Sequence, residues 1–255
     1  MNKKLYVCDL DGTLAENGKK LDSDTVEMLN DVLDCNNKEF VISSARNYSS
    51  IKSRINGMNK NIKIIARNGS IIYDEQGNVI HKAPIDEVSV TEAINYAILQ
   101  NLCPVIVKVV GNEERIYCDF KYMNEQTKKH TTNLKLENVK EYKDIKLKNV
   151  IGIYAFGDIT KDYILREVLI RKDKDFLQIT SMDATKGKAL EYLKNLSNYD
   201  DVTCFGNDEN DYSMLDIADN PYFVYDSIQN KKDKYNNIPW DNAKSIIQVI
   251  AKGGV

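Results

Sequence analysis

Asp9 and Asp11 stand one residue apart at the end of the short apolar run Leu5-Tyr6-Val7-Cys8, and Gly12-Thr13 follows them. Side chains in a strand alternate faces, so positions 9 and 11 project to one side for as long as the chain stays extended. Gly12 and Thr13 then break the strand and leave both acids at its carboxyl end, where open α/β sheets bind ligands. Two close carboxylates repel unless a cation or a shared proton compensates, and oxygen-only ligation suits Mg²⁺. Three further apolar runs end in polar groups: Ser43-Ser44-Ala45-Arg46, Arg67-Asn68-Gly69, and Gly206-Asn207-Asp208-Glu209-Asn210-Asp211. Lys186 opens a later helical segment and can join them. Phosphoryl transfer needs such a set, because the transferring group spreads negative charge over its oxygens while the protein positions and neutralises it. One carboxylate can act as nucleophile, and a second can protonate the leaving oxygen and then deprotonate water.

The elements that must position these groups follow from periodicity. Asp22-Ser23-Asp24 predicts a helix start, with Val26, Leu29, Val32 and Leu33 at helical spacing behind it. Phe40-Val41-Ile42 and Ile62-Lys63-Ile64-Ile65-Ala66 read as further strands, so strand, helix, strand, helix, strand implies parallel βαβ units. Ile71-Ile72-Tyr73 and Val79-Ile80-His81 read as a hairpin turning near Gly77. From about Pro84 to Met182 the pattern changes: a helix near 86–100, strands at 105–110 and 116–120, a lysine-rich segment, a strand at 150–156, a helix near 160–171 and a strand at 176–180. The doubly wound pattern resumes with a helix from Thr185, strand 202–205, a helix from about Asn210, the short run 222–225, and a closing helix holding Ile246, Ile247, Val249 and Ile250. The expected fold is α/β, a Rossmann-like doubly wound parallel sheet (1–83 and 183–255) interrupted by an α+β insertion (84–182).

Composition narrows the function. With 42% hydrophobic residues, 29% charged residues and a net charge of -3, the 255-residue chain lacks the basic excess of a nucleic-acid binder. The lysines between 121 and 148 are interleaved with acids and read as solvated surface. Five cysteines at 8, 35, 103, 118 and 204 form no close pairs in sequence and no zinc spacing, which suits a reducing, cytoplasmic setting. No apolar stretch is long enough for a membrane span, and the run after Lys3-Lys4 meets Asp9 too soon for a signal peptide. His81 and His130 are the only histidines, which leaves a Ser-His-Asp hydrolase without support, and no GxxxxGK[ST] loop is present.

In this order the motifs resemble the haloacid-dehalogenase-like superfamily: Asp9 to Thr13 is similar to its first motif, Ser43 to Arg46 to the second, Thr185-Lys186-Gly187-Lys188 to the third, and Gly206 to Asp211 to the fourth. The Arg67-Asn68-Gly69 turn and the large insertion between motifs two and three resemble its Cof-type sugar-phosphate phosphatase branch. That resemblance implies Asp9 as nucleophile, Asp11 as general acid/base, and Lys186 as the cation neutralising both Asp9 and phosphate. It implies Ser44, or less readily Ser43, as the hydroxyl donor, with Gly12, Arg46 and Asn68 lining the phosphate pocket. Mg²⁺ would be held by Asp9, the Asp11 main-chain carbonyl, Asn207, Asp208 and Asp211, and the insertion would be a cap closing over a small phosphorylated metabolite.

One position departs from the family pattern. The fourth motif commonly begins Gly-Asp, whereas Asn207 stands here, an uncharged ligand that implies weaker metal affinity without loss of activity. Three other functions share the motif chemistry: a phosphomutase returning the group to its sugar, a phosphate-acceptor switch, and a sugar-phosphate sensor without turnover.

Overall fold

Leu5, Tyr6, Val7 and Cys8 are all fully buried in β1 (Lys4–Cys8), the run being apolar on both faces because layers cover both sides of it. The computed structural model describes residues 3–34, 37–159, 165–241 and 243–253. They divide into two units, Met1–His81 with Thr185–Val255, and Lys82–Ala184, where the sequence suggests junctions at 83/84 and 182/183.

The first unit continues through α1 (Ser23–Leu33), β2 (Lys38–Ser43), α2 (Tyr48–Arg54), β3 (Lys63–Ala66), β4 (Ile71–Tyr73) and β5 (Val79–Lys82). The Asp22 carboxylate caps α1 by accepting the Thr25 N–H at 2.8 Å, as its position before an amphipathic stretch predicts. Val26, Leu29 and Leu33 are the buried stripe.

The inserted unit contains α3 (Glu87–Leu99), β6 (Cys103–Val110), β7 (Glu113–Cys118), α4 (Glu125–Thr131), β8 (Leu136–Asn138), β9 (Val150–Phe156), β10 (Val168–Lys172) and β11 (Phe176–Ser181). Its sheet has the order β10-β11-β9-β6-β7-β8, antiparallel except for β7 with β8. Ile85, Val90 and Ile94 pack with Ile106, Ile153 and Ile179 in its core.

The helix expected near 160–171 is corrected: residues 160–164 lie outside the described residues, while Val168–Lys172 is a strand paired with β11. Its short apolar run suits either period, and the neighbouring strand decides. The strand expected at 116–120 ends at Cys118, because Asp119 turns the chain by accepting the Lys121 N–H at 3.1 Å. Within the lysine-rich segment, Thr127, Thr131 and Tyr142 are buried around short elements that the sequence does not announce.

The chain then completes the first unit with α5 (Lys186–Leu196), β12 (Asp201–Gly206), α6 (Tyr212–Leu215), β13 (Asn220–Tyr225), β14 (Asn236–Pro239) and α7 (Lys244–Lys252). Its strands run in the order β14-β13-β12-β1-β2-β3-β4-β5, parallel from β14 through β3. β1 lies between β2 and β12, with Cys8 level with both Ile42 and Phe205. Successive strands run one way from β1 and the later ones the other way, so the order reverses at β1/β12, the topological switch point where such sheets place their ligand crevice. Leu5, Val7, Val41, Ile65, Val202 and Cys204 pack on one face with Ala189, Leu190 and Leu193 of α5 and Met214 and Leu215 of α6. Tyr6, Cys8, Phe40, Ile42 and Ile64 alternate to the other face and are equally buried. Among the described residues, no helix is long and apolar enough to cross a membrane.

Candidate active site

Asp9 follows β1 directly, its N–H still donating to Phe205 O at 2.9 Å, and the residue is only 6% exposed. Lys186, the first residue of α5, is wholly buried, and its Nζ donates to Asp9 Oδ1 and Asp211 Oδ1, each at 2.6 Å. The other Asp211 oxygen accepts the main-chain N–H groups of Asn207 at 2.9 Å and Asp208 at 3.0 Å, so the turn after β12 is wrapped around this carboxylate. Burial pushes the Asp9 pKa up to about 7, Lys186 pulling it down and Asp211 pushing it further up. Burial alone would lower Lys186, but Asp211 and Asp9 outweigh it and hold the ammonium charged.

Asp11 belongs to a different cation. The alternation that would point residues 9 and 11 the same way stops with β1, and Gly12 (φ +77°) turns the chain. Arg46 forks onto Asp11 with Nε to Oδ2 at 2.6 Å and Nη2 to Oδ1 at 2.7 Å, a bidentate pair of the strong kind. The Gly18 N–H donates to Asp11 Oδ1 at 3.0 Å, and Arg54 Nη1 stands 3.9 Å from the same oxygen. Burial would raise the Asp11 pKa, yet the Arg46 and Gly18 hydrogen bonds hold it below the ordinary carboxylate range. Sequence reasoning missed Arg54: it ends α2 as one basic residue of a helical last turn, with no spacing to mark it.

Gly12 is required by contact as well as by its dihedral, since a Cβ there would lie 2.5 Å from Asn207 Nδ2. The first and fourth motifs are thereby pressed together, and Thr13 Oγ1 donates to Asn207 Oδ1 at 2.9 Å. Asp208 caps the turn that follows, accepting the Glu209 N–H at 2.8 Å.

Ser43 and Ser44 are both buried at the end of β2. Ser44 Oγ accepts the Arg46 N–H at 3.3 Å, while Ser43 Oγ has no partner among the described residues. Asn68 is held in a left-handed turn with Arg67 (φ 51°), Asn68 (φ 57°) and Gly69 (φ 95°) in succession. Non-glycine residues adopt that region at a cost, and strain of this kind clusters at functional sites. The turn is tied down by Arg67 N–H to Arg46 O at 2.9 Å and Asn68 N–H to Ser44 O at 3.0 Å, and Asn210 Nδ2 donates to Asn68 Oδ1 at 2.9 Å. A Cβ on Gly69 would fall 2.1 Å from the Thr185 carbonyl oxygen, one residue before Lys186. Gly69→Ala is therefore expected to cost about 1–3 kcal/mol in backbone strain alone and to lower the catalytic rate by displacing Lys186. Thermal melting and turnover measured together check it, and unchanged values for both would refute the coupling.

The site residues singled out from the sequence, Asp208 included through its N–H to Asp211, are thus tied by hydrogen bond, close approach or adjacency to the carboxyl ends of β1, β2, β3 or β12. Among the described residues, the acids at this edge meet cations, Asp9 and Asp211 with Lys186 and Asp11 with Arg46, on a doubly wound, Rossmann-like sheet. Residues 6–250 match the haloacid dehalogenase-like hydrolases, and the chain belongs to that family. Over 249 residues it is 27% identical to a candidate phosphatase of Buchnera aphidicola subsp. Acyrthosiphon pisum (strain APS), covering 88% of this chain and 85% of that one. Its fold is similar to the crystal structure of a haloacid dehalogenase-like hydrolase from Bacteroides thetaiotaomicron, with a TM-score of 0.77, 16% identity, and 98% of this chain and 99% of that one covered. It is also similar to the subclass IIB sugar phosphatase BT4131, with a TM-score of 0.72, 19% identity and 98% of each chain covered.

Proposed function

We propose that the protein is a Mg²⁺-dependent phosphatase of the Cof-type branch, hydrolysing small phosphorylated metabolites, sugar phosphates in particular, through an aspartyl phosphate on Asp9. The observation that carries this reading is the wholly buried Lys186 ammonium, 2.6 Å from Asp9 and from Asp211. A fixed charge there costs several kcal/mol of desolvation, of order that seen for buried ions generally, and serves a nucleophile that must meet an anionic group. The subclass IIB sugar phosphatase of similar fold supports the sugar-phosphate class.

Asp9 would attack phosphorus while the ester oxygen leaves with a proton from Asp11. Water, deprotonated by Asp11, would then attack the phosphorus of the aspartyl phosphate, releasing inorganic phosphate, restoring the Asp9 carboxylate and returning Asp11 to the acid form that began the cycle. Arg46 holds Asp11 as a carboxylate before substrate arrives. A phosphoryl dianion competes for the same guanidinium, and its transfer to the substrate would free Asp11 to carry the proton. Ser44 and Asn68 would donate to the phosphoryl oxygens, and the inserted unit would serve as the cap that excludes water.

The residues suit a hard divalent cation. The donors at this edge are oxygens, which suits Mg²⁺, an ion that keeps several waters and takes only one or two carboxylates; among the described residues no three His, Cys, Asp or Glu side chains cluster as a ready metal cage. Asp9, Asn207 Oδ1, Asp208 and the Asp11 carbonyl would hold it. Asp211 is better assigned to positioning Lys186, because its oxygens already accept the ammonium and two main-chain amides. Burial raises Asp9 to about 7 although Lys186 pulls it down. Bound Mg²⁺ would add positive charge opposite Asp9 and the phosphoryl group.

Asn207→Asp is expected to lower the Mg²⁺ concentration for half-maximal rate several-fold and to enlarge the rise in melting temperature on adding Mg²⁺, since a formal charge is added to the ligand set. An unchanged or higher requirement would remove Asn207 from that set. The buried thiols of Cys8, Cys103, Cys118 and Cys204 suit a reducing cytoplasm, Cys35 lying outside the described residues. The decisive experiment measures phosphate release from an aryl phosphate and a panel of sugar phosphates, with Mg²⁺ or with EDTA. Release that requires Mg²⁺ is expected; release unaffected by EDTA, or none from any substrate, would overturn the reading.

A further inference from the structure

The cysteines are scattered through the sequence, yet the fold brings two of them into contact. Cys103 opens β6 and Cys118 closes β7, and Cys118 lies directly across from Val105, so the two cysteines are diagonal neighbours on one face of an antiparallel pair. Their sulfurs stand 3.5 Å apart, at van der Waals contact, and both residues are wholly buried. The residues that follow them are clamped by one side chain: the Tyr142 hydroxyl accepts the Asp119 N–H at 3.3 Å and donates to the Pro104 carbonyl. A disulfide asks the sulfurs to approach to about 2.05 Å, a movement shared between two side chains. The ladder permits it, because β7 has ended before the position that would face Cys103.

The Cys118 thiol beside Cys103 holds Cys103 below the ordinary thiol range, against the opposing effect of burial. The same hydrogen bond, together with burial, pushes Cys118 well above it. One sulfur is thereby favoured as thiolate and its neighbour as thiol, the division of labour between an attacking and a resolving cysteine. Tyr122, Met123 and Leu134, from the short elements between β7 and β8, pack against the cluster that holds the pair. Short elements of this kind open locally more readily than core strands, which admits a small oxidant. Once closed again, they would shield the product from bulky thiol reductants.

We propose that Cys103 and Cys118 are an oxidation site, a thiol pair that hydrogen peroxide converts into a disulfide stapling β6 to β7 within the inserted unit. The Cys103 thiolate attacks one peroxide oxygen and breaks the O–O bond, giving a sulfenic acid and a hydroxide that takes up the proton Cys103 released. The Cys118 sulfur then attacks the Cys103 sulfur, the S–O bond breaks, and the hydroxide leaves as water with the Cys118 proton. Two thiols are oxidised to one disulfide, and peroxide is reduced to water. The site goes beyond the phosphatase reading and does not rest on it.

The full chain would be treated with hydrogen peroxide, once folded and once in denaturing urea, then alkylated in urea and digested without reduction for peptide mass mapping. In the folded protein the dominant cross-link is expected to join Cys103 to Cys118, lighter by two hydrogens than the two thiol peptides and lost on adding dithiothreitol. In urea the links should scatter among all the cysteines. Peroxide-treated wild type should melt several degrees above the reduced protein, since the staple restricts the unfolded chain, and Cys103→Ala should show no such gain. Full alkylation of both cysteines after treatment of the folded protein, or the same scatter of links folded and unfolded, overturns the site. A gain in melting temperature that is absent from wild type, or equal in Cys103→Ala, overturns the staple. Should Cys103→Ala fail to fold, the map of the wild-type protein decides by itself.

Discussion

Replacing Lys186 by methionine is expected to abolish turnover and to destabilise the fold by about 3–5 kcal/mol, the cost of leaving a buried charge without its partner. The side chain is wholly buried and bridges two carboxylates at 2.6 Å each, so its loss leaves Asp9 and Asp211 facing each other inside the first unit. Methionine fills much the same volume, which makes the change one of charge more than of packing. Adding Asp9→Asn to Lys186→Met removes one of the stranded anions and should recover part of the lost stability without recovering activity. Urea denaturation of wild type, the single variant and the double variant measures this coupling. Equal stability for wild type and Lys186→Met would mean that the ammonium is not the charge holding this cluster together.

Asp9→Asn alone is expected to lower kcat by roughly four orders of magnitude or more, the scale seen when a nucleophile is removed. The fold should survive, since Lys186 keeps its bond to Asp211. In EDTA its stability should even gain on wild type as pH rises. Folding raises the Asp9 pKa from 3.8 to about 7, so the folded state binds the proton more tightly. That contribution is complete below 3.8 and is lost as pH climbs toward about 7, whereas an asparagine has nothing to lose. Melting temperatures of the two proteins across this window read the difference. Phosphate release by Asp9→Asn at the wild-type rate would refute Asp9 as nucleophile, and the Asp11 carboxylate, held by Arg46, would become the group to test.

Elements were legible in proportion to how completely a layer covers them. β1, β2, β3 and β12 are continuous apolar runs because both faces are buried, and each announces itself within four to six residues. β8 and β14 do not: Leu136-Glu137-Asn138 and Asn236-Asn237-Ile238-Pro239 are partly exposed edge strands whose sequences carry no period. They exist because a neighbouring strand offers unpaired main-chain groups, which is a property of the sheet and not of the segment. Val168–Lys172 shows the same dependence, its pairing with β11 overriding a pattern that reads equally as helix.

The site divides along the same line. Asp9-x-Asp11, Ser44, Arg46, Asn68, Lys186 and the Asn207 to Asp211 turn were identifiable from residue type and position at the ends of apolar runs, because strand termination and turn chemistry are encoded within a few neighbouring residues. The sequence by itself therefore determined the α/β class, the family, and the order of the groups to which we assign the proposed carboxylate-centred chemistry. Only the tertiary structure decided which cation meets which carboxylate: Lys186 comes to Asp9 from 177 positions away, Arg46 to Asp11 from 35, and Asp211 is taken up by Lys186 and two main-chain amides. Those pairings depend on strand order and register across the sheet, and hydrogen bonds and ion pairs form or fail over distances far smaller than local sequence can specify.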